Sequence, residues 1–270
     1  YAKFRSKFEQ PISSSQDIGA MKGLNRMISP FVLRRLKKDV LKELPEKQEY
    51  DVYTQMQGKQ HKLYVANALR LKGIIEDTAE DDFKDKRMEI LSELMRLRQL
   101  CCDPALCYEE YEGESAKLDM CIDMIRNGKS GGHKILLFSQ FTAMLDILAK
   151  RLEKEDVSYY MLTGSTNKDK RMKLVDQFNS DETTVFLISL KAGGVGLNLT
   201  GADMVIHYDP WWNVAAQNQA ADRTHRIGQN KVVSVFKLIA KESIEERIVA
   251  LQKNKEQLAD NILKGETISL

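Results

Sequence analysis

From residue 115 onward, short apolar segments alternate with amphipathic segments of helical periodicity, and this alternation restricts the fold more than any other feature. The apolar segments are almost continuous, as is typical of strands that are buried on both faces of a parallel sheet. Repeated strand–helix units of this kind predict an α/β fold with a doubly wound parallel sheet flanked by helices. The predicted strands are residues 134–138, 157–162, 184–188, 204–208 and 232–238, and the predicted helices are 116–127, 142–155, 168–178 and the segment around Gln219.

The chain before residue 115 has a mainly helical pattern. Two long amphipathic stretches, residues 58–78 and 84–100, predict an antiparallel helical hairpin, and residues 48–53 predict a short strand. The acidic segment 108–116 has no periodicity and marks a predicted domain boundary, while residues 243–263 predict a long terminal helix. The positions that keep helical spacing are Leu63, Ala66, Leu69 and Gly73 on the first helix, and Ile90, Leu94, Leu97 and Leu100 on the second.

Composition disfavours several classes of protein. With 270 residues, 43% hydrophobic and 30% charged, the chain can form a globular core, and its net charge of +2 requires no nucleic-acid partner. The four cysteines lack metal-ligand spacing, so we expect reduced thiols and no metal site. No apolar run reaches the length of a membrane span, and we therefore expect no membrane partner.

A glycine-rich turn and a pair of arginines indicate chemistry with phosphates. The turn, residues 189–200, has three glycines in four positions, which is more than a strand-to-helix connection requires. Arg223 and Arg226 are three residues apart, a spacing that places both on one face of a helix. The alternative interpretation is a surface helix in which Asp222 and Arg223 form an ion pair.

The usual cradle for the β-phosphate of a nucleotide is missing from the sequence. Gly128-Lys129-Ser130 imitates the end of a phosphate-binding loop, but a predicted helix precedes it and a strand follows, which reverses the required order. Asp181-Glu182 imitates a metal-binding carboxylate pair, but it precedes a strand instead of ending one. The sequence thus has arginines suited to phosphoryl transfer without the loop that binds phosphates and metal, and we expect another lobe to supply that loop.

The most specific motif of the chain is the block 200–213, which ends in Asp209-Pro210-Trp211-Trp212-Asn213, and the block 217–229 follows it with both arginines. With other motifs along nearly the whole chain, these blocks resemble the carboxy-terminal ATPase lobe of the SWI/SNF-related family, helicase-like DNA translocases of helicase superfamily two that include chromatin remodellers. The sequence differs from the usual family pattern at Cys102-Asp103 and at Val214, and neither difference affects a residue assigned to phosphate chemistry. Further matching blocks, in the family's order, are residues 31–47, 97–104, 134–142, 162–166 and 189–198.

The resemblance implies a RecA-like C-terminal helicase lobe at 115–241. Residues 1–48 would be an inter-lobe linker region, 49–114 a helical protrusion with a connecting segment, and 242–270 a brace-like helix. Within the first of these, the pattern at 31–47 also fits a plain solvated helix. The chain would be the second motor lobe of an ATP-dependent double-stranded DNA translocase, and it would be an inactive hydrolase when alone.

The first RecA-like lobe is the implied partner within the same protein. That lobe would make most of the contacts to ATP and to Mg²⁺. Because the motifs of the first lobe are missing from this sequence, we expect the chain to be a piece of a longer protein. The other implied partner is double-stranded DNA, either bare, nucleosomal or carrying a bound protein. Such a protein would be intracellular, in the cytoplasm with the nucleoid of a bacterium or in the nucleus of a eukaryote.

The resemblance also implies roles for individual residues. Arg223 and Arg226, with Gln219, would be the catalytic groups at the γ-phosphate, because arginine stays charged and its planar fork matches phosphate oxygens. Trp212 either packs in the core or reaches the DNA. The terminal helix is expected to pack on the sheet, and the resemblance implies that it would also brace one lobe against the other. The residues assigned to the nucleotide are Gly194, Gly196 and Asn198, and those assigned to the DNA backbone are Gln140, Thr163, Gly164, Ser165, Ser189, Lys191, Ala192, Gly193 and Trp212.

Two other classes of function compete with the translocase. A module that binds DNA or protein and never meets ATP has no need of the spacing between Arg223 and Arg226. A metabolic dinucleotide enzyme needs a G-x-G-x-x-G motif that opens a helix after its first strand, and the sequence lacks that motif.

Overall fold

The structure is a computed structural model that describes residues 1–15, 17–32, 44–79, 82–193, 197–226 and 228–264. Contacts between residues divide the chain into two compact units, one of residues 1–43 with 250–270 and one of residues 44–249. The predicted limits of the linker, protrusion, lobe and terminal helix stay predictions. Within the described residues, no helix is long and apolar enough to cross a membrane.

A six-stranded sheet forms the centre of the larger unit. The strands are β1 (Lys47–Thr54), β2 (Ile135–Ser139), β3 (Tyr159–Leu162), β4 (Val185–Ser189), β5 (Met204–His207) and β6 (Val233–Ala240). Their spatial order is β1-β6-β5-β2-β4-β3, and every neighbouring pair is parallel. All residues of β2, β4 and β5 are buried, as continuous apolar runs predict. The doubly wound parallel sheet is confirmed, and each predicted strand is present to within two residues at either end.

Helices cover both faces of this sheet. In β2, Ile135 and Leu137 belong to a buried cluster with the helices 116–130 and 142–154. The alternate residues Leu136 and Phe138 belong to a second cluster with the helices 168–180 and 214–221. The helices are α1 (Ala2–Phe4), α2 (Gln10–Ser15), α3 (Ile18–Ile28), α4 (Gly58–Glu76), α5 (Phe83–Cys102), α6 (Ala116–Ser130), α7 (Thr142–Lys154), α8 (Lys168–Ser180), α9 (Leu190–Gly193), α10 (Val214–Ala221) and α11 (Ile244–Lys264), with a π-helical turn at Arg5–Glu9 and a 3₁₀ turn at Pro104–Leu106.

The helices α4 and α5 form the predicted antiparallel hairpin, but two of the four spaced positions on α4 do not face the buried cluster, although Leu63 packs against it. Leu69 is 63% exposed, and Ala66 is also exposed. On α5 the predicted face is confirmed, because Leu97 and Leu100 are buried and Ile90 and Leu94 pack against the same cluster. The buried positions of α4 are Gln60, Tyr64, Asn67 and Leu71.

Two amides explain this shift in the buried face of α4. Gln60 Nε2 donates to the Leu100 carbonyl (3.0 Å), and Gln60 Oε1 accepts from the Ala116 amide (3.2 Å). Asn67 Nδ2 donates to the Tyr108 hydroxyl (3.2 Å). Because their hydrogen bonds are made inside the protein, these polar side chains are buried where an apolar pattern alone predicts aliphatic ones.

The smaller unit is helical and has its own apolar cluster. Phe8, Ile12 and Met21 form its centre, and Leu258 and Ile262 of α11 pack against them. The prediction of a long terminal helix is confirmed by α11. The predicted linker pattern falls mainly on residues 33–43, which lie outside the described residues, so its conformation stays a prediction.

Candidate functional site

Most of the predicted DNA contacts lie directly after the carboxyl ends of four neighbouring strands, β5, β2, β4 and β3. Because the strands are parallel, their carboxyl ends share one edge, the usual place for ligands in such sheets. In spatial order this carboxyl edge carries residues 209–212 after β5, Gln140 after β2, Ser189 at the end of β4 with residues 190–193 after it, and residues 163–165 after β3. The structure therefore brings the predicted contacts together as one continuous row.

The loop after β3 is an exposed turn that is rich in hydroxyl groups. The Thr166 amide donates to the Thr163 carbonyl (3.2 Å) and closes the turn, while Thr163 Oγ1 and Ser165 Oγ are 2.8 Å apart. Gly164 is exposed, and a Cβ added to it would meet nothing within 4 Å. This turn offers two hydroxyls and an open stretch of backbone, which can hold a phosphate without reading base sequence.

Asp209 connects the loops that follow β2 and β5. Its buried carboxylate accepts from Ser139 Oγ (2.6 Å) and from the Gln140 amide (3.2 Å). Burial raises the pKa of Asp209 to about 6, although the Ser139 hydrogen bond and the charge of Arg98 lower it. Gln140 Nε2 is itself buried and has no hydrogen-bond partner among the described residues.

Trp212 combines features of both interpretations that the sequence leaves open. Its side chain is 39% exposed, while the Arg98 guanidinium carbon lies 5.4 Å from the ring centroid. The neighbouring Trp211 packs against the cluster that contains Phe138. Trp212 therefore lies at the surface of the carboxyl edge, and its contact with DNA stays a prediction.

The segment after β4 forms the short helix α9 and turns two of the predicted DNA contacts inward. Ser189 Oγ accepts from the Ala192 amide (3.4 Å), and both side chains are buried. Lys191 is exposed, so it is the residue of this segment whose side chain can reach a phosphate. Ser189, Ala192 and Gly193 can contribute only backbone atoms. The predicted nucleotide residues Gly194 and Gly196 lie outside the described residues and stay predictions.

Asn179 holds the segment that leads from the glycine-rich turn into β5. Its Nδ2 donates to the Asn198 carbonyl (2.9 Å), and its Oδ1 accepts from the Gly201 amide (3.0 Å). A Cβ on Gly201 would lie 3.1 Å from the Asn179 Cα, so this close approach favours glycine. The side chain of Asn198, predicted to lie at the nucleotide, is exposed.

The paired arginines lie in a turn after α10, so the prediction that they share one helix face is wrong. The helix ends at Ala221: the Asp222 amide still bonds to the Asn218 carbonyl four residues back (2.9 Å), but the amides that follow it bond over shorter spans. The Arg223 amide donates to the Ala220 carbonyl (3.2 Å), and the Arg226 amide donates to the Thr224 carbonyl (3.1 Å). Gln219 is exposed on α10, and Arg226 is half-buried with its Nε donating to the Asp222 carbonyl (3.3 Å).

Arg223 is a buried cation whose donors are not all used. The residue is 1% exposed, and its Nε and Nη2 atoms have no hydrogen-bond partner among the described residues. Burial lowers the pKa of Arg223, and the charge of Arg226 lowers it further. Since a buried guanidinium is costly unless it is paired, this position is suited to an oxyanion such as a phosphate.

Gln229 joins the arginine turn to the segment that precedes β5. The Leu199 amide donates to the Arg223 carbonyl (3.2 Å), so the two segments also meet directly. Sequence reasoning assigned no role to Gln229, whose only signal was its place at the end of the block 217–229. Its Nε2 donates to three carbonyl groups, those of Thr200 (3.1 Å), Ala202 (2.7 Å) and Thr224 (3.3 Å).

The two segments that imitate a nucleotide site in the sequence lie in other structural settings. Gly128–Ser130 form the end of α6, ahead of β2, as predicted. Asp181 accepts from the Tyr160 hydroxyl (2.6 Å) and lies near the Lys134 ammonium (3.8 Å). Among the described residues, no group of three or more His, Cys, Asp or Glu side chains could hold a metal ion.

Comparisons with known proteins agree with this architecture. Residues 116–228 match the model of the helicase conserved C-terminal domain, and residues 1–106 match that of the SNF2-related domain. A putative ATP-dependent helicase/translocase of Bacillus subtilis, YwqA, is 37% identical over 277 residues, 97% of this chain and 29% of the relative. The ISWI chromatin-remodeling complex ATPase ISW1 of Saccharomyces cerevisiae is 34% identical over 263 residues, 93% of this chain and 23% of the relative. The chain thus spans about a quarter of the length of these relatives.

Solved structures give the same result. The SWI2/SNF2 ATPase C-terminal domain of Sulfolobus solfataricus is 32% identical, with a TM-score of 0.63, covering 80% of this chain and 86% of that one. The ATPase core from the same organism, in complex with double-stranded DNA, is 33% identical, with a TM-score of 0.67, covering 98% and 56%. The larger unit is therefore a RecA-like ATPase lobe of the helicase C-terminal type. The chain belongs to the SNF2-related family of ATP-dependent helicases.

Proposed function

We propose that this chain is the second motor lobe of an ATP-dependent double-stranded DNA translocase of the SWI/SNF type. The observation that carries the proposal is the buried guanidinium of Arg223, two of whose donors no described residue satisfies. An unpaired buried charge destabilises a fold by several kcal/mol, on the order of 3–5. An anion that arrives from outside the lobe offsets that cost. The relatives are named as ATP-dependent helicases, which supports the γ-phosphate of ATP as that anion.

In this proposal the arginines act on charge that develops during phosphoryl transfer. Arg223 and Arg226 contact the γ-phosphate, and Gln219, exposed on α10, orients it. The glycine-rich turn and Asn198 lie along the nucleotide. The first RecA-like lobe holds the β-phosphate and Mg²⁺, for which the described residues of this chain offer no carboxylate cluster. The lobe alone therefore does not hydrolyse ATP at a useful rate.

The carboxyl edge is the proposed DNA surface. It presents the hydroxyls of Thr163 and Ser165, the exposed Lys191, and Gln140 beside Trp212. Backbone and hydroxyl donors meet phosphates without selecting bases, so the surface fits a protein that moves along any sequence. The solved relative with bound double-stranded DNA supports this partner, and the remodelling relative supports DNA within a nucleosome or under another protein.

The test of the arginines uses the longer protein in which the first lobe is present. Arg223→Ala should lower kcat by about tenfold to a hundredfold or more, because arginine fingers contribute on the order of 10³–10⁵ in rate elsewhere. ATP affinity should change much less, since the arginine acts mainly in the transition state. Arg223→Lys should rescue poorly, because a point charge lacks the planar fork. DNA-stimulated phosphate release and nucleotide binding are the measurements.

Arg126→Ala is the matched control for the loss of one arginine. Arg126 is half-exposed on α6 and pairs with Glu155 (2.8 Å) and Asp123 (2.9 Å), so its removal should leave turnover unchanged. Near-normal turnover in Arg223→Ala would contradict the proposal. Robust ATP hydrolysis by the 270-residue chain alone would contradict the division of labour between two lobes.

The DNA surface has a test that does not depend on ATP. Gly164→Ala adds one methyl group in open space on the exposed turn, so it should weaken duplex binding without changing the melting temperature. Gly73→Ala, on α4 and equally unobstructed, is the control and should bind as the unchanged chain does. Fluorescence anisotropy over a salt series on two unrelated duplexes measures both. A module that recognises one sequence would show a strong preference between the duplexes, and that result would argue against a translocase.

A further inference from the structure

One arginine of the helical hairpin is buried between the two loops that carry Gln140 and Trp212. Arg98 is 2% exposed, and its Nη2 donates to the Pro210 carbonyl (2.7 Å). Its guanidinium carbon lies 5.8 Å from the ring centroid of Phe141 and 5.4 Å from that of Trp212. A single planar group thus touches the loop after β2 and the loop after β5.

Asp209 completes this arrangement from within the sheet. The Arg98 Nη2 lies 3.9 Å from its carboxylate, a long ion pair in which both side chains are buried. The same carboxylate accepts from Ser139 Oγ and the Gln140 amide, and Ser139 Oγ in turn accepts from the Phe141 amide (3.1 Å). The end of β2 and the loop after it are therefore tied to Asp209 by two direct hydrogen bonds and a third through Ser139, and the Phe141 ring faces Arg98.

We propose that Arg98 is a positioning residue that fixes the Gln140 loop and Trp212 as one surface for the DNA backbone. This inference rests on the proposed function, because it concerns the surface assigned there to DNA. Arg98 touches no ligand itself; it acts through the two loops. It also connects the helical hairpin to that surface, since Arg98 belongs to α5.

The chemistry of the site explains why arginine is needed. A guanidinium can donate in its plane to a carbonyl and a carboxylate while its faces stack on aromatic rings. A lysine keeps the charge but has no plane, so it can pair with Asp209 or Pro210 without holding both rings. The residue is therefore expected to control the order of the two loops, beyond its contribution to stability.

The experiment uses the full chain with Trp211→Phe, which leaves Trp212 as the only tryptophan. In this background Arg98→Lys should raise the acrylamide quenching of Trp212 about twofold, because the ring loses the guanidinium that lies 5.4 Å from its centroid. The affinity of the Arg98→Lys variant for a duplex should fall about tenfold. This corresponds to the loss of roughly one charge-assisted hydrogen bond between the displaced loops and a DNA phosphate. Arg96→Lys is the control: Arg96 lies on the same helix, but its guanidinium carbon lies 5.1 Å from the centroid of the Tyr108 ring, away from both loops, so neither measurement should change.

Phe141→Leu is the second variant, which leaves the buried charge in place. If Arg98 couples the loops, Phe141→Leu should also raise the quenching of Trp212, and it should add little in the Arg98→Lys background. Unchanged quenching in Arg98→Lys, or raised quenching with full duplex affinity, would overturn the proposal. If the unchanged chain binds no duplex at all, the proposed function fails, whereas the quenching of Trp212 still decides whether Arg98 holds the loops.

Discussion

The buried ion pair between Lys117 and Glu245 allows a quantitative test of what stabilises the larger unit. Lys117 Nζ lies 2.6 Å from Glu245 Oε1 and 2.5 Å from Oε2, and both side chains are 1% exposed. Glu245 Oε2 also accepts from the Ala240 amide (2.8 Å), and the ammonium lies 5.6 Å from the centroid of the Tyr208 ring. Burial lowers the pKa of Lys117, but the Glu245 charge outweighs it and raises the pKa to about 12.

Removing one partner should be far more harmful than removing both charges. Lys117→Met leaves a carboxylate with one backbone donor in an apolar environment, and we expect a loss of about 3–5 kcal/mol in the free energy of unfolding. Glu245→Gln leaves an unpaired buried ammonium and should lose a similar amount. The double variant has no buried charge, and its glutamine oxygen can still accept from the Ala240 amide. It should therefore lose no more than either single variant, a coupling of about 3 kcal/mol.

Urea unfolding followed by far-UV circular dichroism measures these free energies. The control is Arg126→Met, which breaks the half-exposed pairs on the same helix and should cost about 0–1 kcal/mol. If the double variant loses the sum of the two single losses, the charges act independently and the reasoning is refuted. Single losses as small as that of Arg126→Met would show that water reaches the pair.

Two further predictions concern pH and backbone conformation. Burial raises the pKa of Asp209 to about 6 in the folded state. Between about pH 4 and 6 the folded protein therefore holds a proton on Asp209 that the unfolded chain has lost. The free energy of unfolding should fall by about 3 kcal/mol as pH rises through that window. Asp209→Asn should lack this component, and equal pH dependence of the two proteins in urea unfolding would exclude it. Gly228 has φ of +100° with open space around its Cβ position, so Gly228→Ala should destabilise by about 1–2 kcal/mol through backbone strain alone. Gly73→Ala, inside α4, should instead stabilise by about 0.5–1 kcal/mol, and thermal unfolding that shows the same sign for both would refute this.

The sequence predicts the sheet well because each strand is recognisable from its own residues. β4 is an unbroken apolar run between polar segments, and its neighbours repeat that pattern, so strand positions follow from local chemistry. The face of α4 does not follow in this way. Gln60 and Asn67 are buried because partners distant in sequence satisfy them, and no local pattern shows such partners.

The candidate site was predictable to a similar degree. The resemblance to a family points to Arg223, yet only the structure shows that this side chain is buried with unused donors after the end of α10. The inward side chains of Ser189 and Ala192 depend on how α9 packs, which glycine content does not reveal. Arg98 lies more than a hundred residues before Pro210, so its role depends on tertiary packing alone.

The pairing of β1 with β6 has a consequence for how the protein folds. β1 begins at Lys47, but its partner β6 begins at Val233, so the edge of the sheet closes between segments that are far apart in the chain. Contacts of such sequence separation form late and slow the folding of a domain. During synthesis β1 must wait without its partner until nearly all of the larger unit has left the ribosome. We therefore expect β1 to be the strand most exposed to premature pairing, and the charged residues at its alternate positions, Lys47, Glu49 and Asp51, oppose aggregation during that interval.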